Sequence, residues 1–392
     1  MPTGFSANTA DILFALLRAE ICGEAVSEEI KMCLSEEMLE RIFVLAEKHD
    51  LAHIAGNGLS KLGLLGDNEI SKKFKQVSMQ AFWRYARLSG EYRKVCKTLE
   101  DAKIPFIPLK GAVLREYYPE PWLRTSCDID ILVYEADVQR AIDILSEQLQ
   151  YRFAKQWFYE YSLFSPNGVH LELHSNTIEK VESGAREAVM ETVWERSYPE
   201  EGWQYKRRMT DEMFYFYHIL HMAKHFARGG CGIRPFLDLW ILNHRVEGNR
   251  KERYALLEKG ELMKFTAVAE NLSEVWLHDR APDSLTCRVA HFVLTGGTYG
   301  EGENMVAMRQ ARKGGKLQYI LSRFFPPCDI LQISYPVLQK HKWLYPLFLV
   351  VRWVRALFGG RCGKTLRDLK DKSEFSQEKI DNAADLLEQL GL

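Results

Sequence analysis

The chain has 392 residues, 46% of them hydrophobic and 27% charged, with a formal net charge of −1. Such a length exceeds one small core and predicts roughly two or three domains. The near-zero charge argues against a surface built for long nucleic acid, so no DNA partner is expected, but it leaves room for a local basic cleft.

Eight cysteines are scattered along the chain with no CxxC pair. They read as free thiols in a reducing cytoplasm. The first residues, MPTGFSANTADILFALLRAE, lack a basic n-region and a cleavage site, so no signal peptide is expected. The most apolar run, WLYPLFLVV (343–351), is shorter than the roughly 18 apolar residues a membrane span needs. Arg352 and Arg355 then interrupt it. It reads as a buried or interfacial helix, with a membrane-surface role as the lesser reading and no transmembrane segment.

Residues 1–103 carry helical periodicity in TADILFALLRAEI, in EEMLERIFVLAEKHDL and in a long pattern over 68–103. The aromatics of that last pattern, Phe82, Trp83, Tyr85 and Tyr92, are expected in a core rather than as a stacking platform. The texture then changes. IPFIPL (104–109) reads as a strand near a sheet edge because of its prolines. KGAVLREYYPEP reads as a helix over 111–118 that Pro119 ends. DIDILV is a strand and EADVQRAIDILSEQLQ an amphipathic helix. WFYEYSLFSPNGVHLELHSN reads as two strands about a turn at Pro166, Asn167 and Gly168. Residues 104–182 thus form a small α/β unit. Residues 183–392 read as helical again, with clear helices in SGAREAVMETVWERS, TDEMFYFYHILHMAKHFARG, RPFLDLWILNHR and SQEKIDNAADLLEQL. GGTYGEGEN (296–304) has neither Walker nor dinucleotide spacing and reads as a loop. The expected fold is α+β and mostly helical: a small mixed sheet between an N-terminal helical region (1–103) and a C-terminal one.

Side chains alternate across a strand. In DIDILV, Ile129, Ile131 and Val133 therefore share one face, and Asp128 and Asp130 point from the other. Two like charges at this spacing repel unless a cation lies between them, and Mg²⁺ prefers carboxylate oxygens. By the same reasoning an Asp130→Asn change should relieve repulsion and raise stability. HLELH repeats the construction, with Leu171 and Leu173 behind and His170, Glu172 and His174 in front. If the two strands are neighbours, Glu172 becomes a third carboxylate beside the pair, a set able to hold two metal ions for phosphoryl or nucleotidyl transfer. A zinc site on His170, Glu172 and His174 is the rival reading. Lys110 and Gly111 stand where a strand passes into a helix, a place suited to phosphate.

Strand–glycine–helix, then DxD on a strand, then a further carboxylate on a later strand resembles the DNA polymerase beta-like nucleotidyltransferase superfamily. Within it, LKGAVLREYYPEPWLRTSCDIDILV, HLELH and HMAKHFARGGCGIRPFLDLWIL look like a family of uncharacterised nucleotidyltransferases. Lys-Gly replaces the Gly-Ser of most relatives. The resemblance implies catalysis by Asp128, Asp130 and Glu172, which would also ligate Mg²⁺, or Mn²⁺ in its place. It implies nucleotide binding by Lys110, Gly111 and Arg124. The alternative for Arg124 is a salt bridge to Glu120 or Asp128.

His218, His221 and His225 lie at i, i+3 and i+7 on one helical face. Ordinary half-buried histidines, a nucleotide cleft wall and a metal site all remain open for them. His221, His225 or Arg234 is expected to face the nucleotide. Arg234 and Asp238 are four apart and able to pair on their own helix. The C-terminal third is locally basic, from Lys340 to Lys372, which reads as solvated helix faces or as a surface for an anionic acceptor.

The leading expectation is a cytoplasmic, metal-dependent nucleotidyltransferase that uses an NTP, ATP before others. Its acceptor hydroxyl belongs to a small molecule or a protein in preference to RNA. The alternative is a degenerate nucleotidyltransferase fold serving as a nucleotide-binding or protein-interaction module.

Overall fold

A computed structural model describes residues 8–177, 184–297, 307–358 with interruptions, and 377–392. Five helices come first: α1 (Thr9–Ile21), α2 (Glu28–Met32), α3 (Glu36–Lys48), α4 (Ala52–Lys61) and α5 (Glu69–Asp101). The 33-residue α5 begins where the Asn68 side chain accepts the Ser71 amide hydrogen at 3.0 Å, a cap that satisfies one of the free N–H groups of its first turn. The sheet segment follows as β1 (Phe106–Pro108), α6 (Gly111–Leu114), β2 (Asp128–Val133), α7 (Val138–Leu149), β3 (Arg152–Trp157), β4 (Glu160–Phe164) and β5 (His170–His174). The remaining elements are α8 (Gly184–Met190), the small hairpin of β6 (Ser197–Pro199) and β7 (Arg207–Met209), and α9 (Asp211–Arg228). Then come α10 (Arg234–Arg245), α11 (Arg250–Lys259), α12 (Met263–His278), α13 (Ser284–Gly296), α14 (Cys328–Ser334), α15 (Val337–Lys340), α16 (Tyr345–Phe358) and α17 (Gln377–Leu390). The fold is α+β and mostly helical, as the sequence indicates.

The five-stranded sheet has the order β1-β2-β5-β4-β3. β2 and β5 are parallel and the other pairs antiparallel, so the sheet is mixed. One face carries Ile129, Ile131, Val133, Leu163, Leu171 and Leu173 and packs under α5 and α7. The other face contributes Ile107, Leu109 and Leu132 to a larger core that it shares with the helices. DIDILV is therefore not polar along its whole second face: past the two aspartates, Leu132 is buried. The helices before and after the sheet share that larger core. Phe14 of α1 stacks on Trp276 of α12 at 4.8 Å, and Arg18 donates to the Trp276 carbonyl at 3.3 Å.

Four expectations need correction. The segment after Lys110 is not one helix over 111–118, but the four-residue α6 followed by a 3₁₀ turn over Arg115–Tyr117. Pro119 prevents the helix from continuing, and Pro121 opens a separate 3₁₀ turn over Pro121–Leu123. The 184–197 segment forms a helix only over Gly184–Met190. β3 is an additional edge strand whose residues are all exposed, so it has no alternation to betray it. Phe82 and Trp83 are not in a core: they are 47% and 65% exposed on the outer side of α5. The glycine-rich stretch after Gly297, and the basic residues of 359–376, lie outside the described residues.

Candidate active site

The site begins with strand register. Asp128 pairs with His170, Asp130 with Glu172, and Leu132 with His174 across the parallel β2–β5 ladder. Paired residues on adjacent strands point to the same face. The structure thus brings Asp128, Asp130, His170, Glu172 and His174 together. Ligand atoms of Asp128, His170 and Glu172 all lie within 4.8 Å of one another, and so do those of Asp130, Glu172 and His174. Glu172 belongs to both groups.

Lys110 follows β1 at the edge of this cluster. Its backbone has φ 45° and ψ −119°, a combination that L side chains rarely adopt. Holding a residue there costs on the order of 1–3 kcal/mol, and such strain concentrates at functional sites. The Lys110 ammonium lies on Asp130, Nζ to Oδ1 2.7 Å, and His174 Nε2 lies 3.0 Å from the same oxygen. Burial by itself raises the pKa of Asp130, but Lys110 and His174 outweigh it and hold the carboxyl well below the usual carboxylate range. Asp128 moves the other way, raised by burial and then by the charge of Asp130. Glu172 is pushed up to about 8, first by burial and then by Asp130 and Glu160.

Gly111 packs against Ser126 rather than facing open space. A Cβ at this position would meet the Ser126 Cβ at 3.1 Å. Arg115 fixes the same corner, donating to the Gly111 carbonyl at 2.7 Å and to Ser126 Oγ at 2.8 Å.

Helix α9 forms the opposite wall. Thr210 caps its start and Gly229, with φ 145°, ends it. Tyr217, His221, Lys224, His225 and Arg228 line one cavity with the strand carboxylates. The His221 and His225 ring nitrogens are 3.1 Å apart. Burial, followed by the charge of Lys110, lowers the His221 pKa well below the usual histidine value, so the ring is neutral at physiological pH. His218 leaves this group. It is buried toward α10, its Nε2 3.0 Å from the Pro235 carbonyl. The three histidines share the lining of a second, smaller cavity, but only His221 and His225 also line the one with the strand carboxylates.

Arg124 and Arg234 also reach the cavity wall, as paired charges. Arg124 holds Asp238 in a two-pronged bond, Nε to Oδ1 2.7 Å and Nη2 to Oδ2 2.8 Å. The partner is neither Glu120 nor Asp128. Arg234 does not pair with Asp238 along α10; it donates instead to Asp50 at 2.7 Å and to Thr125 Oγ1 at 3.0 Å. A planar guanidinium fork fits both oxygens of one carboxylate better than a side chain one turn away, which explains the exchange of partners.

The cavity measures about 460 Å³, within the usual size range of small-molecule sites. Acidic residues of β2, β4 and β5, with Lys110 among them, line one side; the basic residues of α9 line the other. Trp157, Phe158 and Tyr159, at the β3–β4 turn, form a rim that sequence reasoning did not foresee. Tyr217 was missed too, although the 217, 221, 225 spacing puts it one turn before His221 on the same face.

The model of the uncharacterised nucleotidyltransferase family matches residues 35–277. The chain belongs to this family. The matched region runs from α3 to α12 and includes every residue of the cavity named above. A search of curated proteins finds no match. Family membership carries a nucleotidyl-transfer role at the level of class, and the paired ligand groups are a place able to hold a divalent ion.

Proposed function

We propose that this protein transfers a nucleoside monophosphate from an NTP, ATP before others, to an acceptor hydroxyl and releases pyrophosphate. The observation that carries this reading is the shared position of Glu172, beside Asp128 on one side and Asp130 on the other, beneath a basic helix wall. Asp128, Asp130 and Glu172 would hold Mg²⁺, or Mn²⁺ in its place. The fit is chemical: three carboxylates crowd around one ammonium, and the pKa of Glu172, raised first by burial and then by the charges of Asp130 and Glu160, marks a carboxylate that a hard cation would favour in its ionised form. Bound there, a divalent ion supplies positive charge to the reacting phosphate oxygens.

The chain's own groups do the rest. Lys110 and the basic residues of α9 bind and orient the triphosphate, since fixed cations favour its charge. Arg124 stiffens the wall beside it. Trp157 and Phe158 offer flat apolar surface to the base or the acceptor. Glu172 takes the proton of the acceptor hydroxyl. A cavity lined by both signs of charge suits a small polar molecule or a protein side chain better than an RNA end, and the cytoplasm supplies both.

One observation favours a second reading. The Lys110 ammonium already neutralises Asp130, as it would in a site that binds nucleotide without turnover. Incubation with each labelled NTP, Mg²⁺ or Mn²⁺, and a cell extract separates the two. Pyrophosphate release with a labelled product supports transfer. Binding of NTP with no pyrophosphate leaves the binding module. Neither binding nor release defeats both readings.

A further inference from the structure

Beyond the nucleotide cavity, the C-terminal helices α14–α16 form a small cluster of their own around Leu331, Leu338 and Leu349. Helix α16 contributes Leu349, with Tyr345 and Phe348 packed alongside. Hydrogen bonds tie it to the preceding segment: the Tyr345 hydroxyl donates to the Pro326 carbonyl at 2.7 Å, and Trp353 Nε1 to the Phe324 carbonyl at 3.0 Å. This is the inner face of the helix.

The outer face is also apolar. Leu347, Val350 and Val354, at i, i+3 and i+7, are 56%, 50% and 45% exposed, and Trp343 just ahead of the helix is 76% exposed. Phe324 and Phe325 are exposed beside it. A helix with apolar residues on opposite faces belongs in surroundings that cover both. No helix among the described residues is long and apolar enough to cross a membrane. The outer face therefore needs a cover it can lie against.

Charge selects the cover. Residues 321–358 carry Arg323, Lys340, Lys342, Arg352 and Arg355 against the single acid Asp329, in a chain whose net charge is −1. Lys340 and Lys342 are exposed just ahead of the helix, and Arg355 is exposed at its flank, over the Tyr335 ring at 5.5 Å. A second copy packed two-fold on this face would set basic rim against basic rim. An anionic leaflet instead complements the rim, takes up the aliphatic side chains, and seats Trp343 at the headgroup level.

We propose that the Leu347–Val350–Val354 face of α16, with Trp343 and the rim of Lys340, Lys342 and Arg355, lies flat on an anionic lipid surface. The reading is independent of the chemistry in the nucleotide cavity.

The test is sedimentation of the full chain with phosphatidylcholine vesicles, with and without phosphatidylglycerol. The protein should pellet with the anionic vesicles and be released by salt. Leu347→Asp with Val350→Asp should weaken binding at least about tenfold, because charged groups must then leave water. Lys340→Glu with Lys342→Glu touches only exposed side chains and should also abolish anionic preference; it decides the matter if the first variant fails to fold by circular dichroism. Trp83→Asp, in the exposed apolar patch of α5, should bind as wild type. No pelleting, or pelleting that these α16 and lysine variants leave unchanged, overturns the proposal. So does a dimer in sedimentation equilibrium that Leu347→Asp dissolves while vesicles are ignored; the cover would then be a second copy.

Discussion

Arg124 and Asp238 are 114 residues apart in the chain and meet through two hydrogen bonds, at 2.7 and 2.8 Å, beside the cavity that the strand carboxylates line. Tyr118 donates a third bond to the same carboxylate at 2.8 Å. Asp238 is buried, and the guanidinium charge holds its carboxyl below the ordinary range against the opposite pull of burial. The pair joins the β1–β2 connection to the second turn of α10, and so ties the helices behind the cavity to the strand carboxylates.

Removing the acid should therefore damage both stability and site. Asp238→Ala leaves Arg124 and the Tyr118 hydroxyl without their acceptor. Breaking a buried pair from one side typically costs about 3–5 kcal/mol. Denaturant unfolding should show a loss of that order. A loss below about 1 kcal/mol would mean the pair is solvated and does not brace the wall.

Asp130→Asn should abolish nucleotidyl transfer and lower stability. The sequence alone argues for the reverse stability effect, since two carboxylates on one strand face repel. The structure reverses the sign: Lys110 and His174 both lie on Asp130, whose carboxyl is held well below its ordinary pKa. Losing a charged hydrogen-bond partner costs about 1.5–3 kcal/mol, less where water reaches the ammonium, as it does at Lys110. Thermal melts of the purified variant without added metal would check the direction. A variant more stable than wild type would show that carboxylate repulsion dominates after all.

These cases show what the sequence could carry. The carboxylate cluster was legible because period-two alternation is local: DIDILV and HLELH each display an apolar and a polar face. Their alignment depended only on whether the strands are neighbours. Other features had no local trace. β3 is exposed along its whole length, so nothing in RFAKQW alternates. The exchange of partners among Arg124, Asp238, Arg234 and Asp50 is settled by long-range packing, which spacing along one helix cannot register. The positive φ of Lys110 is equally invisible, because lysine is not a residue that advertises a left-handed backbone. Phe82 and Trp83 look like core by composition and lie outside because α5 turns its opposite stripe, Leu88, Val95 and Leu99, to the sheet.

Stability without metal should fall as pH rises. Glu172 has a folded-state pKa raised from 4.5 to about 8. A group raised in this way binds its proton more tightly in the folded state, so its stabilising contribution is complete below the lower value. The contribution is lost as pH climbs through the upper one. Melting temperature in a chelating buffer should therefore decline through the window from 4.5 to about 8. Saturating Mg²⁺ should flatten the decline, since the ion favours the ionised carboxylate and its binding releases a proton. Glu172→Gln should show neither the slope nor the rescue. A slope that survives in Glu172→Gln assigns the titration to another group.

Gly111 distinguishes packing from phosphate contact. A Cβ placed there comes to 3.1 Å from the Cβ of Ser126, so even alanine strains the corner that Arg115 ties together. Gly111→Val should lower stability by about 1–3 kcal/mol, the usual cost of overpacking a tight site. Pairing it with Ser126→Gly removes the obstructing atom and should restore part of that loss, a coupling of about 0.5–3 kcal/mol in a double-mutant cycle. NTP affinity measured on the same proteins separates the two roles. If the double variant regains stability but still binds NTP weakly, the Gly111 backbone approaches phosphate. If affinity returns with stability, the glycine serves packing alone, and triphosphate contact falls to Lys110 and α9.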